Sequence, residues 1–211
     1  MKELTVESAA LEWFEHLGYQ RLYGPDISPG GSSPERSSYS EVVLSERLRS
    51  ALAALNPSLP PAILHDCFRK VTRTESPNLH ENNRAFHRKL IDGVDVEYRG
   101  KDGQIVYDQA RLVDFSSPGK NDWAVANQFT VIEDNNTRRM DVVVFVNGLP
   151  LGVIELKSGI AEKSLKAAYR QFQTYKAEIP GLFATNEMLV IADGLDAKAG
   201  TLTGNWEWLR L

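Results

Sequence analysis

Apolar residues in the N-terminal part of the chain recur with the three-to-four-residue spacing of amphipathic helices. The first stripe occupies residues 5–17, where Thr5 is a candidate N-cap and Gly18 ends the pattern. A stretch rich in Gly, Pro and Ser, about 24–37, predicts a long loop. Further helical patterns cover residues 39–55, 60–73 and 78–91. The sequence therefore predicts a helical N-terminal region over residues 1–93.

From residue 94 onward apolar residues alternate with polar ones, which is the period of β-strands. Asp102-Gly103 supplies a hairpin turn, and residues 127–132 predict a further strand. The longest strand signal is DVVVFVNGLPLGVIELK, residues 141–157, in which two β-branched runs flank Asn147-Gly148. Strands this continuously apolar belong in a sheet that helices cover on both faces.

A helix over residues 162–178, halted at Pro180, and a buried strand over 188–192 follow the hairpin. This order of elements predicts an α/β (α+β) fold with a mixed central β-sheet flanked by helices. In this prediction residues 94–211 form the core, and residues 1–93 pack on it as extra N-terminal helices.

Three charged residues interrupt the apolar hairpin: Asp141 begins its first strand, and Glu155 and Lys157 lie in its second. Buried carboxylate and ammonium groups are costly unless they are paired or hold a metal. Glu155 and Lys157 are two apart, so their side chains share one face of the strand. Asp141 joins that face if it lies opposite Glu155. That register requires an odd number of loop residues, or a bulge, around 147–150.

Two carboxylates that converge beside a lysine suit Mg²⁺, a hard cation that keeps several waters and is completed by a phosphate oxygen. Such a metal polarises the scissile phosphate and lowers the pKa of a bound water, while the lysine stabilises developing negative charge. The alternative is a strand-end ion pair between Glu155 and Lys157, with Asp141 capping a turn. The hairpin setting, the apolar flanks and the basic helix that follows favour a metal-dependent phosphodiesterase site.

The helix after the hairpin carries further candidate residues. Gln171 and Tyr175 are four residues apart and therefore share a helical face. If that face covers the hairpin, Gln171 is placed to hold the attacking water or a phosphate, and Tyr175 is placed to contact the DNA backbone. The alternative is an ordinary amphipathic helix with Tyr175 in the core. Basic residues on this helix and before the hairpin are candidate phosphate contacts, although a solvated basic face is equally common. These DNA-binding candidates are Lys163, Lys166, Arg170, Arg138 and Arg139.

Charge is distributed unevenly along the 211 residues, whose formal net charge is −4. Residues 138–176 hold seven basic and three acidic residues, a net +4, so the remainder carries −8. This asymmetry indicates one face that meets a polyanion while the rest of the surface repels it.

The composition excludes several other classes of protein. Hydrophobic residues make up 42% of the chain, which is enough to bury a core. The single cysteine, Cys67, excludes an internal disulfide framework, and no apolar run reaches membrane-spanning length or forms a signal peptide. We therefore expect a soluble cytoplasmic protein with no membrane partner. The four histidines lack zinc-ligand spacing with Cys67, and no GxxxxGK[ST] phosphate loop occurs.

Five segments form long and specific motifs. They are ENNRAFHRKLIDGVDVEY (81–98), LVDF (112–115), NQFTV (127–131), RRMDVVVFVNGLPLGVIELK (138–157) and IADGLDAKAGTLT (191–203). At these segments, which span most of the chain, the sequence resembles the PD-(D/E)xK nuclease superfamily. More closely, it resembles the N-terminal nuclease domain of the restriction (R, HsdR) subunit of type I restriction enzymes. The resemblance implies a restriction-endonuclease-like fold.

The resemblance also assigns roles to the candidate residues. It implies that Asp141 is the family's motif aspartate and that Glu155 and Lys157 are its ExK pair. Gln171 and Tyr175 fall on the family's QxxxY motif.

Glu7, near the N-terminus, and Met140, directly before Asp141, also bear on the resemblance. Glu7 looks like the family's N-terminal helix glutamate, which sits near the metal, whereas its helical position alone predicts a solvated surface acid. Met140 stands where the family commonly has proline, and this departure leaves the side chains that do chemistry unaffected.

The function that the resemblance implies is a Mg²⁺-dependent endonuclease, a type I site-specific deoxyribonuclease acting on foreign double-stranded DNA. Family subunits are longer and carry an ATP-driven translocase, so ATP would serve only that missing part. They also dock on modification and specificity subunits. We expect an excised nuclease domain rather than a stand-alone relative, because the end at 206–211 has no obvious tail.

Two rival functions stay open at this point. One is a DNA-repair or junction nuclease of the same superfamily, which partner context would distinguish. The other is a non-catalytic DNA-binding module that keeps the fold. The intact Asp141, Glu155 and Lys157 argue against the second, since a degenerate copy need not retain all three.

Overall fold

The computed structural model describes residues 3–100, 102–157 and 162–210. Its helices are α1 (Glu3–His16), α2 (Gly24–Ile27), α3 (Ser45–Leu55), α4 (Pro61–Thr72), α5 (Leu79–Asp92), α6 (Glu162–Glu178) and α7 (Pro180–Phe183). Its strands are β1 (Gln20–Tyr23), β2 (Val94–Arg99), β3 (Ile105–Ala110), β4 (Trp123–Glu133), β5 (Asn136–Val146), β6 (Leu149–Leu156), β7 (Met188–Ala192) and β8 (Ala197–Gly200). Short 3₁₀ turns occupy Pro118–Lys120 and Trp206–Trp208.

The central sheet has six strands in the order β1-β4-β5-β6-β7-β8. Strands β1 and β4 run parallel, as do β6 and β7, while the other neighbours are antiparallel. The predicted α/β class with a mixed central sheet is therefore confirmed.

Helices cover both faces of this sheet, as the apolar strands predicted. On one face, Leu165 and Phe172 of α6 and Phe183 of α7 join the main core with sheet residues. On the other face, Val6 and Leu11 of α1 pack in a smaller core with β-strand residues. The candidate hairpin β5–β6 thus lies in the middle of a three-layered structure.

A third core belongs to the N-terminal helices. Residues of α3, α4 and α5 pack there with the two-stranded sheet formed by β2 and β3 and with the end of the β5–β6 hairpin. Strand β1, also N-terminal, pairs with β4 in the central sheet. The division of the chain into regions 1–93 and 94–211 stays a prediction.

The helices predicted at 60–73 and 78–91 match α4 and α5 to within one residue at each end, and α6 and β7 have the predicted bounds. Three details of the N-terminal prediction were wrong, two near the start of the chain and one at α3. Helix α1 begins at Glu3, so Thr5 lies inside it and cannot be its N-cap. The predicted loop 24–37 opens with the short helix α2.

The helix predicted over 39–55 begins only at Ser45. The reason is a tertiary contact, since the Leu44 backbone N–H donates to the Gly148 carbonyl at 2.9 Å. That bond holds the preceding segment against the hairpin turn. Strands β1 and β8 were not predicted, because β1 is four residues long with one buried side chain, and β8 reads Ala-Lys-Ala-Gly without a β-branched residue.

Candidate active site

The turn of the β5–β6 hairpin is a two-residue turn. Asn147 and Gly148 both have positive φ, 54° and 78°, as a tight hairpin turn requires. The buried Asn147 side chain fixes this turn from outside the hairpin. Its Nδ2 donates to the Leu112 carbonyl at 2.8 Å, and its Oδ1 accepts from the Asp122 N–H at 2.7 Å. The turn is therefore anchored to the loop that precedes β4.

A bulge sets the register beyond the turn. Phe145 faces Pro150 but Val144 faces Gly152, so Leu151 is the extra residue of β6. The last pair in the register is Val142 with Ile154, so Asp141 and Glu155 are the next residues on the two strands. The paired residues thus keep the predicted register as far as Val142 and Ile154, with the bulge that a two-residue turn requires.

The two strands separate at Asp141. The Leu156 backbone N–H, which in a longer hairpin would pair with β5 backbone, donates instead to Asp141 Oδ2 at 2.8 Å. On the other side of β6, the Lys157 N–H donates to the Ala192 carbonyl of β7 at 2.8 Å. The Asp141 carboxylate is thus fixed where β5 leaves β6.

Glu155 lies at the centre of the site, with an exposed fraction of only 1%. Its Oε1 accepts a hydrogen bond from Lys157 Nζ at 2.6 Å. Its Oε2 is buried and has no hydrogen-bond partner among the described residues. Burial, and next the nearby negative charge of Asp141, raise the pKa of Glu155 to about 7, although the Lys157 ammonium opposes the rise. Two carboxyl groups therefore converge in a place where one oxygen lacks a partner.

This arrangement fits a divalent cation. An unpartnered buried carboxylate oxygen beside a second carboxylate is the hard-oxygen donor set that Mg²⁺ prefers. Within the described residues, no three His, Cys, Asp or Glu side chains are grouped so as to hold a metal ion. The protein therefore offers a pair of carboxylates, and further ligands would be water and substrate oxygens.

Helix α6 brings Gln171 and Tyr175 to this site. Gln171 Nε2 donates to the Tyr175 hydroxyl. The Tyr175 ring lies in the main core, while burial, together with the charges of Glu155 and Asp141, raises the pKa of its phenol. Tyr175 therefore both packs in the core and sits beside the two carboxyl groups.

Glu7 is buried, with an exposed fraction of 6%, and is not the solvated acid that its helical position predicted. Its Oε1 accepts from Asn127 Nδ2 and its Oε2 from Gln128 Nε2, each at 2.7 Å. Asn127 and Gln128 were not candidates at the sequence level. The one available signal was an adjacent pair of amide side chains inside an apolar strand.

The basic candidates occupy different surroundings. Arg139 and Arg170 are exposed, whereas Arg138 forms an ion pair with Glu178 at 2.5 Å. Lys166 Nζ lies 5.5 Å from the centre of the Trp206 ring, which Lys198 flanks at 5.1 Å. The side chain of Lys163 lies outside the described residues.

The fold and the hairpin together define a class of protein. A mixed sheet with helices on both faces, carrying an aspartate opposite the glutamate of a Glu-x-Lys strand, is the restriction-endonuclease-like fold. Residues 1–208 match the family model for the type I restriction enzyme R protein N terminus, and the chain belongs to that family.

Curated relatives agree with this family. The chain is 36% identical over 209 residues to the type I restriction enzyme HindI endonuclease subunit of Haemophilus influenzae. It is 32% identical over 209 residues to a putative type I restriction enzyme endonuclease subunit, MjaIXP, of Methanocaldococcus jannaschii. Each alignment covers 98% of this chain and 20% of the relative, so the chain spans about a fifth of their length. Among the described residues, no helix is long and apolar enough to cross a membrane.

Proposed function

We propose that this chain is the Mg²⁺-dependent endonuclease domain of a type I restriction R subunit and hydrolyses phosphodiester bonds of double-stranded DNA. The observation that carries the proposal is the convergence of Asp141 and Glu155 beside Lys157, with Glu155 Oε2 buried and unpartnered. Burying such a group is costly unless a ligand completes it. Membership of the R protein family supports DNA as the substrate.

Asp141 and Glu155 would hold the metal. A bound Mg²⁺ supplies Lewis-acid polarisation of the phosphate and a water of lowered pKa. The raised pKa of Glu155 describes the chain without metal, and a neighbouring cation favours the ionised carboxylate instead. The Asp141 carboxylate is already oriented, because the Leu156 N–H holds its Oδ2.

Lys157 and the α6 pair act on the phosphate. The Lys157 ammonium, 2.6 Å from Glu155 Oε1, carries a positive charge to the place where negative charge develops on phosphate oxygens. The Tyr175 phenol is protonated at neutral pH, since the ordinary pKa of a phenol, about 10, lies well above 7 and burial raises it further. Since its oxygen accepts from Gln171, its own proton is directed onward, to a phosphate oxygen or the attacking water.

Glu7 and the basic residues complete the proposed site. Glu7 approaches from α1 and is held at the β4 position that faces Asp141. Exposed Arg139 and Arg170 would contact DNA phosphates and fix the position of the duplex without reading its sequence. Lys163 and Lys166 are proposed for the same role. Arg138 would contribute less to DNA binding, because its guanidinium already forms an ion pair with Glu178.

The family resemblance suggests how the domain would be used in subunits as long as these relatives, of which this chain spans about a fifth. In a complete subunit, ATP-driven translocation would precede cleavage. ATP would therefore bind to the translocase region, whereas Mg²⁺ would bind to the nuclease domain. Modification and specificity subunits would be the protein partners, and the cytoplasm the location.

The test is Mg²⁺-dependent nicking of plasmid DNA. Wild type, Asp141→Ala and Lys157→Ala are compared first as the chain alone and then in an R subunit reassembled with modification and specificity subunits. The control is Glu97→Gln, an exposed glutamate on β2 outside the central sheet. We expect both site variants to lose at least about 100-fold in rate and the control to keep it. Undiminished cleavage by the complex carrying Asp141→Ala would contradict the proposed assignment of the active site.

A further inference from the structure

Strand β4 carries a strained residue in its interior. Gln128 has φ +55°, in the left-handed region that L-residues other than Gly, Asn and Asp seldom adopt. It lies between the register pairs Asn127 with Val142 and Phe129 with Met140, so its β5 counterpart is Asp141. Strain of this kind persists only where the surroundings enforce it, and it concentrates at functional sites.

At the strained residue, the side chains of both strands stop alternating regularly between the two faces of the sheet. In a regular strand, residues three apart point to opposite faces. Ala126 and Phe129 nevertheless share the main core, and so do Met140 and Val143 on the neighbouring strand. The alternation therefore breaks at the same place in both strands, at Gln128 in β4 and at Asp141 in β5.

The break places two amides on the Glu7 carboxylate. Asn127 Nδ2 donates to Oε1 and Gln128 Nε2 to Oε2, each at 2.7 Å, so each carboxylate oxygen has its own donor. In a regular strand, adjacent side chains point to opposite faces and could not both reach one carboxylate from the same side. The Asn127 Oδ1 is buried without a partner among the described residues, so the contact with Glu7 is made by the donor side of this amide.

Gly24 holds the break in place from the other side. A Cβ at Gly24 would lie 2.4 Å from the Gln128 carbonyl oxygen and 2.6 Å from that of Asn127. Only glycine allows such an approach. Strand β1 ends at Tyr23, which pairs with Asn127, so the chain turns onto the strained peptide immediately after its last strand pair.

We propose that Gln128 is a positioning residue for the metal site. Its left-handed backbone takes Asp141 out of the β4–β5 pleat, and its amide, with that of Asn127, fixes the Glu7 carboxylate at the same point of the sheet. This inference rests on the proposed function, because it concerns how the carboxylates of that site are held. Removing groups that orient ligands typically costs metal affinity about 10–100-fold.

The test is titration of the chain with Mn²⁺, followed by calorimetry, with thermal unfolding measured on each variant. Gln128→Gly keeps the left-handed backbone and removes the amide. Gln128→Val also removes the amide and, because it is β-branched, disfavours the left-handed backbone. The control is Asp134→Gly, since Asp134 also has positive φ, +52°, but is exposed at the turn between β4 and β5. Asp141→Ala is measured alongside.

We expect Gln128→Val to bind Mn²⁺ at least about 10-fold more weakly than wild type, Gln128→Gly to bind with an affinity between the two, and Asp134→Gly to bind like wild type. Wild-type affinity in folded Gln128→Val, with binding lost in Asp141→Ala, overturns the positioning role and leaves the proposed metal site intact. Absence of Mn²⁺ binding by the wild type overturns both. If Gln128→Val does not fold, Gln128→Thr, which is also β-branched, takes its place in the comparison.

Discussion

The Asp141 carboxylate accepts a hydrogen bond from the backbone N–H of Leu156 at 2.8 Å, where a backbone hydrogen bond between β5 and β6 would otherwise form. This bond determines where the β5–β6 hairpin opens. Since Asp141 and Glu155 directly follow the last paired residues of the hairpin, the same bond brings two acidic groups together beside Lys157. The Asp141 side chain thus ends the pairing of β5 with β6 at the position where the candidate site lies.

Stability of the metal-free chain should depend on Glu155. Its pKa is raised from 4.5 to about 7 on folding, so ionisation opposes folding. The destabilisation is absent below the unfolded pKa, grows as pH rises from about 4.5 to about 7, and is complete above that. Glu155→Gln should therefore be more stable than wild type at pH 8, by up to about 3 kcal/mol, and closer to it at pH 4. Urea unfolding in a chelator at both pH values checks this. An equal difference at the two values would contradict it.

The substitution Tyr175→Phe should distinguish a catalytic role of this residue from a role in packing alone. Tyr175→Phe keeps the ring in the core and removes only the hydroxyl that accepts from Gln171. We expect the free energy of unfolding to change by no more than about 1.5 kcal/mol, while DNA cleavage falls about 10-fold or more. Cleavage is measured in the reassembled complex. Full activity of this variant would leave Tyr175 with its packing role alone.

The basic residues should differ in their contribution to DNA binding. Arg139 and Arg170 are exposed, so replacing either with alanine should lower the slope of log affinity against log salt by about one. Arg138→Ala should change that slope less, because its guanidinium is held by Glu178. Fluorescence anisotropy with a DNA duplex over a range of salt concentrations measures the slopes. Equal slopes for all three variants and wild type would exclude these arginines as phosphate contacts.

The hairpin turn should tolerate no side chain at Gly148. Its φ is +78°, and a Cβ there would lie 2.4 Å from the Leu44 carbonyl oxygen. Gly103 is a matched control, with φ +81° and, apart from its chain neighbours, no atom of the described residues within 4 Å of its Cβ position. Gly103→Ala should cost about 1–2 kcal/mol through backbone strain alone. Gly148→Ala should cost about 1–3 kcal/mol more because of the overlap. Denaturant unfolding measures both, and equal costs would contradict the close approach of Leu44, which directly precedes α3, to the turn.

Much of the site could be predicted because its signals are local. The apolar runs on either side of Asn147-Gly148 predict the hairpin, and the period-two rule predicts that Glu155 and Lys157 share a face. The predicted register required either an odd number of loop residues or a bulge, and Leu151 supplies the bulge. Helix α6 was predicted with the observed bounds because a basic amphipathic pattern ends at Pro180.

The rest depends on contacts between distant parts of the chain. Glu7 is buried because Asn127 and Gln128, more than a hundred residues away, donate to it. The strain at Gln128 has no signature in a sequence of strand-forming residues. The start of α3 was misplaced for a similar reason, since a bond from Leu44 to the hairpin turn overrides the helical pattern.

The most direct measurement of the central claim is the position of Mn²⁺ in crystals of the chain, located by anomalous scattering. We expect a peak about 2.0–2.6 Å from oxygens of both Asp141 and Glu155, with the remaining ligands supplied by water. In Asp141→Ala crystals that peak should be lost. A peak elsewhere, or none between these two carboxylates in crystals of the wild type, would contradict the account.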